Sequence, residues 1–325
     1  MTRLLRRAAR FLAVFASLFL SAEAMATFPD KPVTLLVPFP AGGASDMIAR
    51  TIGARLQEQW KQTVLVDNKP GATGTIAAAQ FKRAAPDGYT ILVSSLGPFV
   101  IAPHLYKSQS YDALKDLDLI MVAVQSPNVL VVPANSKLKS LADVLAELKT
   151  HPDTLSFSSS GNGSSDHLTA ELFWQQTGTS GLHVPYKGGA PAVQDLIGGQ
   201  VAASFQNVNS VFTQIQSGKL RALAVTGSKR SLVLPQVATL SELGVKGVDV
   251  YSWQGVAVPA GMAPALKAQI HAALVTALSD PATQKKLTDI GLEMVVDTPD
   301  HARAFQAVEF ARWKSLIEAR KITAD

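Results

Sequence analysis

The chain has 325 residues, enough for two domains of ordinary size and for a large apolar core without disulfides or structural metals. Hydrophobic residues make up 47% and charged residues 17%, which excludes a disordered protein and is typical of a globular one. Cysteine is absent, which excludes disulfides, thiol catalysis, cysteine-ligated metals and a lipid on an N-terminal cysteine. The formal net charge of +5 by itself suggests a nucleic-acid partner.

The N-terminus accounts for most of this charge. Four arginines precede an apolar run at 11–20, and small-x-small cleavage sites end at Ala24 and Ala26. The pattern predicts a secretory signal peptide at 1–26, since a membrane span needs about 20 apolar residues. Its removal lowers the net charge from +5 to +2, so a nucleic-acid partner is no longer favoured. We expect a soluble, monomeric periplasmic protein, cleaved after Ala24 or Ala26.

Short apolar runs alternate with amphipathic patterns along the rest of the chain. The predicted strands are 33–39, 64–66, 89–94, 119–124, 129–132, 155–158, 184–186, 202–205, 223–225 and 253–259. The predicted helices are 45–60, 73–85, 140–150, 164–177 and 191–197, followed by a mainly helical region after residue 259. This alternation predicts an α/β fold on mostly parallel sheets. Since no linker is evident, we expect the chain to cross between its domains within strands.

Four loops between a predicted strand and a predicted helix are rich in glycine and small hydroxyl residues. We name them the first loop (38–46), the second loop (68–75), the third loop (158–167) and the fourth loop (184–191). Free N–H groups and the helix dipole favour anions at a helix N-terminus, and glycine lets the backbone approach a ligand. Ordinary capping explains one such loop equally well. Four of them at the same ends of parallel strands predict a shared anion site.

The charges in these loops narrow the ligand class. Lys69 and Lys187 are the only cations in the four segments, which favours a small carboxylate over a phosphate-rich ligand. Asp46 and Asp166 fall in first-turn positions, where they complement the helix dipole. Because Asp46 would repel a carboxylate at contact distance, we expect it to orient a water or the loop, or to meet a protonated group.

Enzyme motifs are largely missing. Neither G-x-S-x-G nor a P-loop occurs, and 161–163 lacks the third glycine of a dinucleotide-binding motif. His167 and Glu171 have the spacing of two ligands on one helix face, but no second histidine joins them. We therefore expect no metal and no cofactor. Ser164 or Ser165 beside His167 leaves an exported serine hydrolase as an alternative.

Seven segments match, in order, motifs of one receptor family. They are VPFPAGGASDMIAR (37–50), VDNKPGATGTIAAA (66–79), APDGYTILVSS (85–95), GNGSSDHLTAELF (161–173), HVPYKGGAPAVQDLIGGQV (183–201), GKLRALAVTGSKR (218–230) and WQGVAVPAG (253–261). The set resembles the Bug-type substrate-binding proteins, the extracytoplasmic receptors of tripartite tricarboxylate transporters. The resemblance covers essentially the whole chain after the predicted signal peptide.

The resemblance implies a type II periplasmic-binding-protein fold, in which two α/β lobes joined by two crossing strands hold the ligand in a cleft. We expect lobe 1 at 27–126 plus 236–325 and lobe 2 at 127–235. The resemblance also implies a small carboxylate ligand, gripped on one side by the loop matching 39–46, and inner-membrane transporter subunits as partners. A sensor subunit docking on a membrane signalling protein is the second alternative.

Loop chemistry and resemblance together give the expected ligand contacts. They are Phe39, Ala41, Gly42, Gly43, Ala44, Asp46, Thr73, Ser94, Ser95, Ser160, Gly161, Ser164, Ser165, His167, Tyr186, Lys187, Gly188, Asp195 and Asn207. Asp195 has an equally simple interpretation as a solvated or loop-bracing acid.

Two positions depart from the family pattern. Thr73 stands where glycine is common, and Ala102 stands where asparagine precedes a proline. The loss of an amide at Ala102 suggests a less polar distal end of the ligand. Four aromatic residues then either line that side or pack in the core: Phe99, Phe205, Phe212 and Trp253.

Overall fold

The structure is a computed structural model that describes residues 28–324. The predicted signal peptide and both cleavage sites lie outside the described residues. The strands are β1 (Val33–Val37), β2 (Val64–Asn68), β3 (Thr90–Ser95), β4 (Leu117–Pro133), β5 (Ser156–Ser159), β6 (Leu182–Pro185), β7 (Ala203–Asn207), β8 (Leu220–Val225), β9 (Tyr251–Pro259) and β10 (Glu293–Met294). The helices are α1 (Ala44–Trp60), α2 (Thr75–Phe81), α3 (Ala102–Leu105), α4 (Leu141–Thr150), α5 (Ser165–Thr177), α6 (Gly189–Ile197), α7 (Val208–Gln216), α8 (Pro264–Ser279), α9 (Pro281–Thr288) and α10 (Pro299–Arg320).

The first sheet has the strand order β2-β1-β3-β9-β4, with β10 on the other side of β4. β1 is parallel to both β2 and β3, because α1 and α2 return the chain to the same end of the sheet. β9 is antiparallel to β3 and β4. The run VTLLV of β1 is almost completely buried, as expected of a parallel strand covered on both faces.

The second sheet has the order β4-β7-β5-β6, with β8 on the other side of β4. β5 is parallel to β6 and β7, and α5 and α6 form the crossovers between them. Helix α5 begins at a Ser164 cap whose Oγ accepts the His167 N–H, and helix α4 begins at a reciprocal capping box of Ser140 and Asp143.

Strand β4 belongs to both sheets. Its pairing with β9 ends at Pro127, which lies opposite Tyr251, and its pairing with β7 begins at Asn128, opposite Asn207. This agrees with the expectation that the chain crosses within a strand. The return path from β8 to β9 runs through 226–250, which forms turns and no named strand, so the second crossing strand implied by the resemblance is not present as a strand.

The two strands predicted at 119–124 and 129–132 are therefore one strand of 17 residues. The polar residues between them continue the strand, because in the fold they have partners. Gln125 Nε2 donates to Glu293 Oε2 at 3.2 Å, and the Asn128 N–H donates to Thr226 Oγ1 at 2.9 Å. Pro127, which lacks an N–H, falls at the residue where β4 changes its partner strands.

The helix predicted at 73–85 is also shorter than expected. A 3₁₀ turn at Ala72–Gly74 precedes α2, which ends at Phe81. Thr73 has φ 53° and Gly74 has φ 90°, left-handed values that an α-helix cannot contain. A π-helical turn at Gly97–Ile101 and the short α3 after it were not predicted.

Candidate functional site

The four glycine-rich loops lie at the carboxyl ends of parallel strands. The first and second loops follow β1 and β2 of the first sheet, and the third and fourth follow β5 and β6 of the second sheet. Gly163 of the third loop packs against α3, since a Cβ built there would lie 2.2 Å from Leu105 Cδ1. The third loop therefore meets the segment that follows β3, and the loop-bearing edges of the two sheets adjoin.

In the first loop, Asp46 is buried and turned back toward its own loop. Its Oδ2 accepts the Gly42 N–H at 2.9 Å and Arg50 Nε at 3.0 Å, and its Oδ1 accepts Asn68 Nδ2 at 3.0 Å. Burial by itself raises the pKa of Asp46, but the hydrogen bonds from Arg50, Gly42 and Asn68 outweigh it and lower the pKa below its ordinary value. Asp46 thus orients the loop, one of the roles expected from the sequence.

The middle of the first loop is exposed to solvent. Ala41, Gly42 and Gly43 are exposed, and Ala44 is half-buried at the first position of α1. Next to them, Ser45 Oγ donates to Gln254 Oε1 of β9 at 2.7 Å and fixes the start of α1 to the first sheet. The loop therefore presents backbone and the positive end of a 17-residue helix on a rigid support.

In the third loop, Asp166 has the same role as Asp46. Its Oδ2 accepts the Ser160 N–H at 2.8 Å, Ser160 Oγ at 2.7 Å and Gln206 Nε2 at 3.2 Å. Its Oδ1 accepts the His167 N–H at 3.1 Å. All these partners are uncharged, and only 3% of Asp166 is exposed. All four of these hydrogen-bond donors belong to the carboxylate's own loop or to strand β7.

The hydroxyls of two serines of the third loop, Ser164 and Ser165, are engaged with the backbone and with Asn207. Ser164 Oγ donates to the Gly161 carbonyl oxygen at 2.6 Å, and Ser165 Oγ donates to Asn207 Oδ1 at 3.1 Å. The His167 ring instead accepts the Gly163 N–H on Nδ1 at 3.0 Å. The Ser–His pairing behind the hydrolase alternative is therefore not formed by Ser164 or Ser165.

A different serine does contact a histidine. Ser159 Oγ lies 2.6 Å from His183 Nε2, and the His183 ring stacks on that of His167 with centroids 3.8 Å apart. Burial and the neighbouring His167 lower the pKa of His183 to about 4. A general base works best with a pKa near the operating pH, so His183 is a poor base. Ser159 is itself buried within β5.

The second and fourth loops are braced by tyrosines. Thr73 Oγ1 lies 3.3 Å from the Tyr106 hydroxyl, and Tyr186 donates to Asp195 Oδ2 at 2.7 Å. Hydrogen bonding to Asp195 raises the pKa of Tyr186. Asp195 thus braces the fourth loop through Tyr186. Lys187 is exposed beside Gly188.

Some residues predicted to contact or line the ligand site are buried. Ser94 is fully buried and donates to the Ser95 carbonyl oxygen at 2.9 Å. Ala102 is buried in α3, so the substitution of a family asparagine there does not change an exposed wall. Phe99, Phe205 and Trp253 are fully buried in the core, and Phe212 is half-buried against the core of the second sheet.

Several residues of the site were not in the predicted set. Asn68, Gln206 and Gln254 hold the first and third loops, and each is distant in sequence from its partner. Glu171 was considered only as a metal ligand, whereas it lies 2.7 Å from Arg320 Nε. The i,i+4 spacings of Asp46 with Arg50 and of His167 with Glu171 were the only local signals available.

Comparison with known proteins identifies the family. The family model described as "Tripartite tricarboxylate transporter family receptor" matches residues 48–322. The chain belongs to this family. Protein BugT of Bordetella pertussis is 38% identical to this receptor over 292 residues, which are 90% of each chain.

Two solved structures resemble the receptor closely. "R. palustris Rpa4515 with adipate" has a TM-score of 0.84 and 33% identity, covering 91% of the receptor and 99% of that chain. "MatC (Rpa3494) from Rhodopseudomonas palustris with bound malate" has a TM-score of 0.81 and 30% identity, covering 89% of the receptor and 100% of that chain. The predicted type II periplasmic-binding-protein fold is confirmed.

Between residues 28 and 324, no helix combines the length and apolarity that crossing a membrane requires. In the same range, no three histidine, aspartate or glutamate side chains are grouped in a way that would hold a metal ion.

Proposed function

We propose that this receptor binds a small organic carboxylate between its two lobes and delivers it to a tripartite tricarboxylate transporter. One observation carries the proposal: Asp46 and Asp166, the acidic residues of the two central loops, are both occupied by donors of their own surroundings. The oxygens of both carboxylates are thus turned into their own loops, and the backbone N–H groups at the start of α1, where Gly43 provides no side-chain cap, favour an anion. The adipate and malate named for the two related structures have this chemistry.

The proposed mechanism is binding followed by lobe closure. A carboxylate held by the exposed backbone of 41–44 on one lobe is contacted by the third and fourth loops on the other. The ligand favours the closed form only by as much as it binds that form more tightly. We place lobe 1 at 27–126 plus 236–325 and lobe 2 at 127–235. The change of partner strands at Pro127 and Asn128 supports the boundary at 126/127.

We further propose that the receptor is a non-enzymatic monomer exported to the periplasm by a signal peptide at 1–26. The basic, apolar and small-residue pattern of that segment supports export. The hydroxyls of Ser164 and Ser165 bond to Gly161 and Asn207, which argues against a serine nucleophile. A fluorophosphonate probe that fails to label the receptor is the expected result.

The ligand class is tested by a thermal-shift and calorimetric screen of residues 27–325. The panel contains adipate, malate, aromatic carboxylates, amines, sugars and nucleotides. A ligand at about 100 times its dissociation constant stabilises the folded state by about 2.7 kcal/mol. Adipamide, which keeps the skeleton of adipate without its charges, is the matched control. Stabilisation by amines, sugars or nucleotides and by no carboxylate contradicts the proposal.

The backbone site is tested by Ala44→Pro. Proline is well accepted at the first position of a helix, and Gly43 already has the extended conformation that a residue before proline needs (φ −79°, ψ 174°). The variant therefore loses one N–H donor with little change in stability. Loss of a hydrogen bond to a charged group weakens carboxylate affinity about tenfold. Ala44→Ser keeps the N–H and should bind normally; equal affinities for the two variants contradict this placement.

A further inference from the structure

A chain of polar side chains connects the last turn of α10 with the third loop. Arg320 Nε lies 2.7 Å from Glu171 Oε2 in α5. Glu171 Oε1 lies 3.7 Å from His167 Nε2, one helical turn earlier. His167 Nδ1 accepts the Gly163 N–H at 3.0 Å. The C-terminal helix is thereby linked, through three side chains, to the backbone of a loop that we assign to the ligand.

Burial makes this series of side-chain contacts energetically significant. The side chain of His167 is 5% exposed, that of Glu171 13% and that of Arg320 31%. A carboxylate so far removed from water stays ionised only if it is paired. Burial by itself raises the pKa of Glu171, but its interactions with His167 and Arg320 outweigh it and lower the pKa. Glu171 is thus a fixed negative charge facing the imidazole.

The hydrogen bond at Nδ1 defines the tautomer of the imidazole. Because Nδ1 accepts from Gly163, it carries no proton, and the ring proton lies on Nε2, facing Glu171. The other charged or titratable neighbours are Asp166 on the same helix and His183 of β6, whose stacked ring stays neutral with a pKa of about 4. A carboxylate that fixes the tautomer of a histidine is a common means of orienting the ring.

The position of Gly163 matters for the site. Gly163 is buried, has φ +73°, and lies under Leu105 Cδ1 of α3, where the loop-bearing edges of the two sheets meet. A change in the Gly163 hydrogen bond therefore moves the third loop relative to the opposite edge. Packing this close does not absorb such a movement.

From these contacts we propose that Glu171 and Arg320 are positioning residues for the ligand loop: Arg320 orients Glu171, Glu171 holds the proton of His167 on Nε2, and Nδ1 fixes Gly163. The proposal rests on the proposed function for the meaning of the loop, but the linkage itself is present without ligand. The C-terminal helix thus contributes to ligand affinity without touching the ligand.

The linkage is measured first in the ligand-free protein by NMR. In wild type, the His167 Nδ1 resonance is that of an unprotonated nitrogen and the Gly163 amide is protected from exchange. Glu171→Gln and Arg320→Gln should speed Gly163 exchange by about fivefold, the equivalent of one ordinary hydrogen bond. Arg320→Lys, which keeps the charge, should restore part of the protection.

The control is Glu318→Gln. Glu318 pairs with Lys314 at 3.9 Å on the same helix, but its side chain is 65% exposed. If Gly163 exchange and the His167 resonances are the same in Glu171→Gln as in Glu318→Gln, the proposal is wrong. Should Glu171→Gln fail to fold, Arg320→Gln carries the same comparison, because its side chain is already partly in water.

A second experiment separates the two ring nitrogens. His167→Asn places an acceptor near the Nδ1 position, whereas His167→Gln places its polar group near Nε2. With adipate and malate as probes, His167→Gln should bind about tenfold more weakly than His167→Asn. Adding Glu171→Gln to His167→Asn should cause no further loss of affinity, because the nitrogen that faces Glu171 is already absent.

Equal affinities for the asparagine and glutamine variants, or a further loss when Glu171→Gln is added to His167→Asn, overturn the proposal. If neither carboxylate binds wild type, the proposed function is at fault, and the ligand-free NMR comparison still decides the linkage.

Discussion

An aspartate has the same position in the first and third loops, but the hydrogen-bond donors that surround it differ. In each, an aspartate in the first turn of a helix binds an N–H of the preceding loop: Asp46 binds Gly42 at 2.9 Å, and Asp166 binds Ser160 at 2.8 Å. Asp46 is balanced by Arg50, whose side chain is 55% exposed. Asp166 accepts hydrogen bonds only from uncharged groups, namely a hydroxyl, an amide and backbone N–H groups.

The difference indicates how each loop responds to the loss of one hydrogen-bond partner. A water molecule can replace the exposed guanidinium at the first loop, whereas nothing replaces a buried amide at the third. The first loop is therefore expected to tolerate change, and the third loop to transmit it into the fold.

The largest effect is expected when the two aspartates are removed. Asp166→Ala leaves the Ser160 N–H and the Gln206 amide without their acceptor in a buried site, at a cost of about 3 kcal/mol of unfolding free energy. Asp46→Ala should cost about 1 kcal/mol, because Arg50 returns to water. Urea unfolding of both variants measures the two losses of unfolding free energy. A larger loss for Asp46→Ala would reverse the comparison.

The glycines of the two loops give the next effect. Gly42 and Gly163 both have positive φ, +84° and +73°, but a Cβ at Gly42 meets nothing within 4 Å whereas one at Gly163 meets Leu105 Cδ1 at 2.2 Å. Gly42→Ala should cost about 1 kcal/mol of backbone strain, and Gly163→Ala about 2–3 kcal/mol through strain and overpacking. Denaturant unfolding gives both values, and equal costs would show that Leu105 moves aside freely.

Acidification should affect the surroundings of the third loop first. The pKa of His183 falls from 6.5 in the unfolded chain to about 4. Between these values the unfolded chain binds the extra proton, so the free energy of unfolding declines as pH falls through this window. His183→Asn should remove that slope, measured by urea unfolding as a function of pH.

Asp46 provides the contrast within the same titration. Its folded pKa lies below its ordinary 3.8, so its contribution to stability is complete above that pH and is lost below it. Asp46→Asn should therefore leave the slope between 6.5 and about 4 unchanged. A change of that slope in Asp46→Asn would be inconsistent with the assignment.

The smallest effect is expected at Arg50. Arg50→Gln removes an ion pair whose cation is mostly in water, so it should lower the free energy of unfolding less than any variant above. The loss should nearly vanish at about 1 M salt, where charges are screened within about 3 Å. Unfolding at low and high salt measures it. A loss as large as that of Asp46→Ala that salt does not reduce would mean that Asp46 depends on Arg50.

Much of the fold could be predicted because it follows local patterns. The apolar run of β1 and the helical period of α1 specify their elements directly. Strand β4 could not be predicted as one strand, because its polar centre is stabilised by Thr226 and Glu293, residues far along the chain. The left-handed Thr73 likewise has no local signal, since non-glycine residues rarely adopt that conformation.

The site shows the same division. Glycine and serine composition located the four loops and the aspartates in their first turns. The groups that hold those aspartates lie 22 residues away for Asn68 and 40 residues away for Gln206, and Arg320 is 149 residues from Glu171. Only the folded topology brings such pairs together, so a single sequence does not reveal them.

The shared strand β4 also determines which pieces of this chain can fold alone. A gene divided after Pro127 separates β9 from the part of β4 with which it pairs. The upstream fragment then lacks β9, and the downstream fragment lacks the first half of β4. Neither fragment is an autonomous unit, although each contains most of one sheet. Reporter domains for a carboxylate sensor are therefore better inserted at an exposed turn, such as that at Asp153, than at the boundary between the lobes.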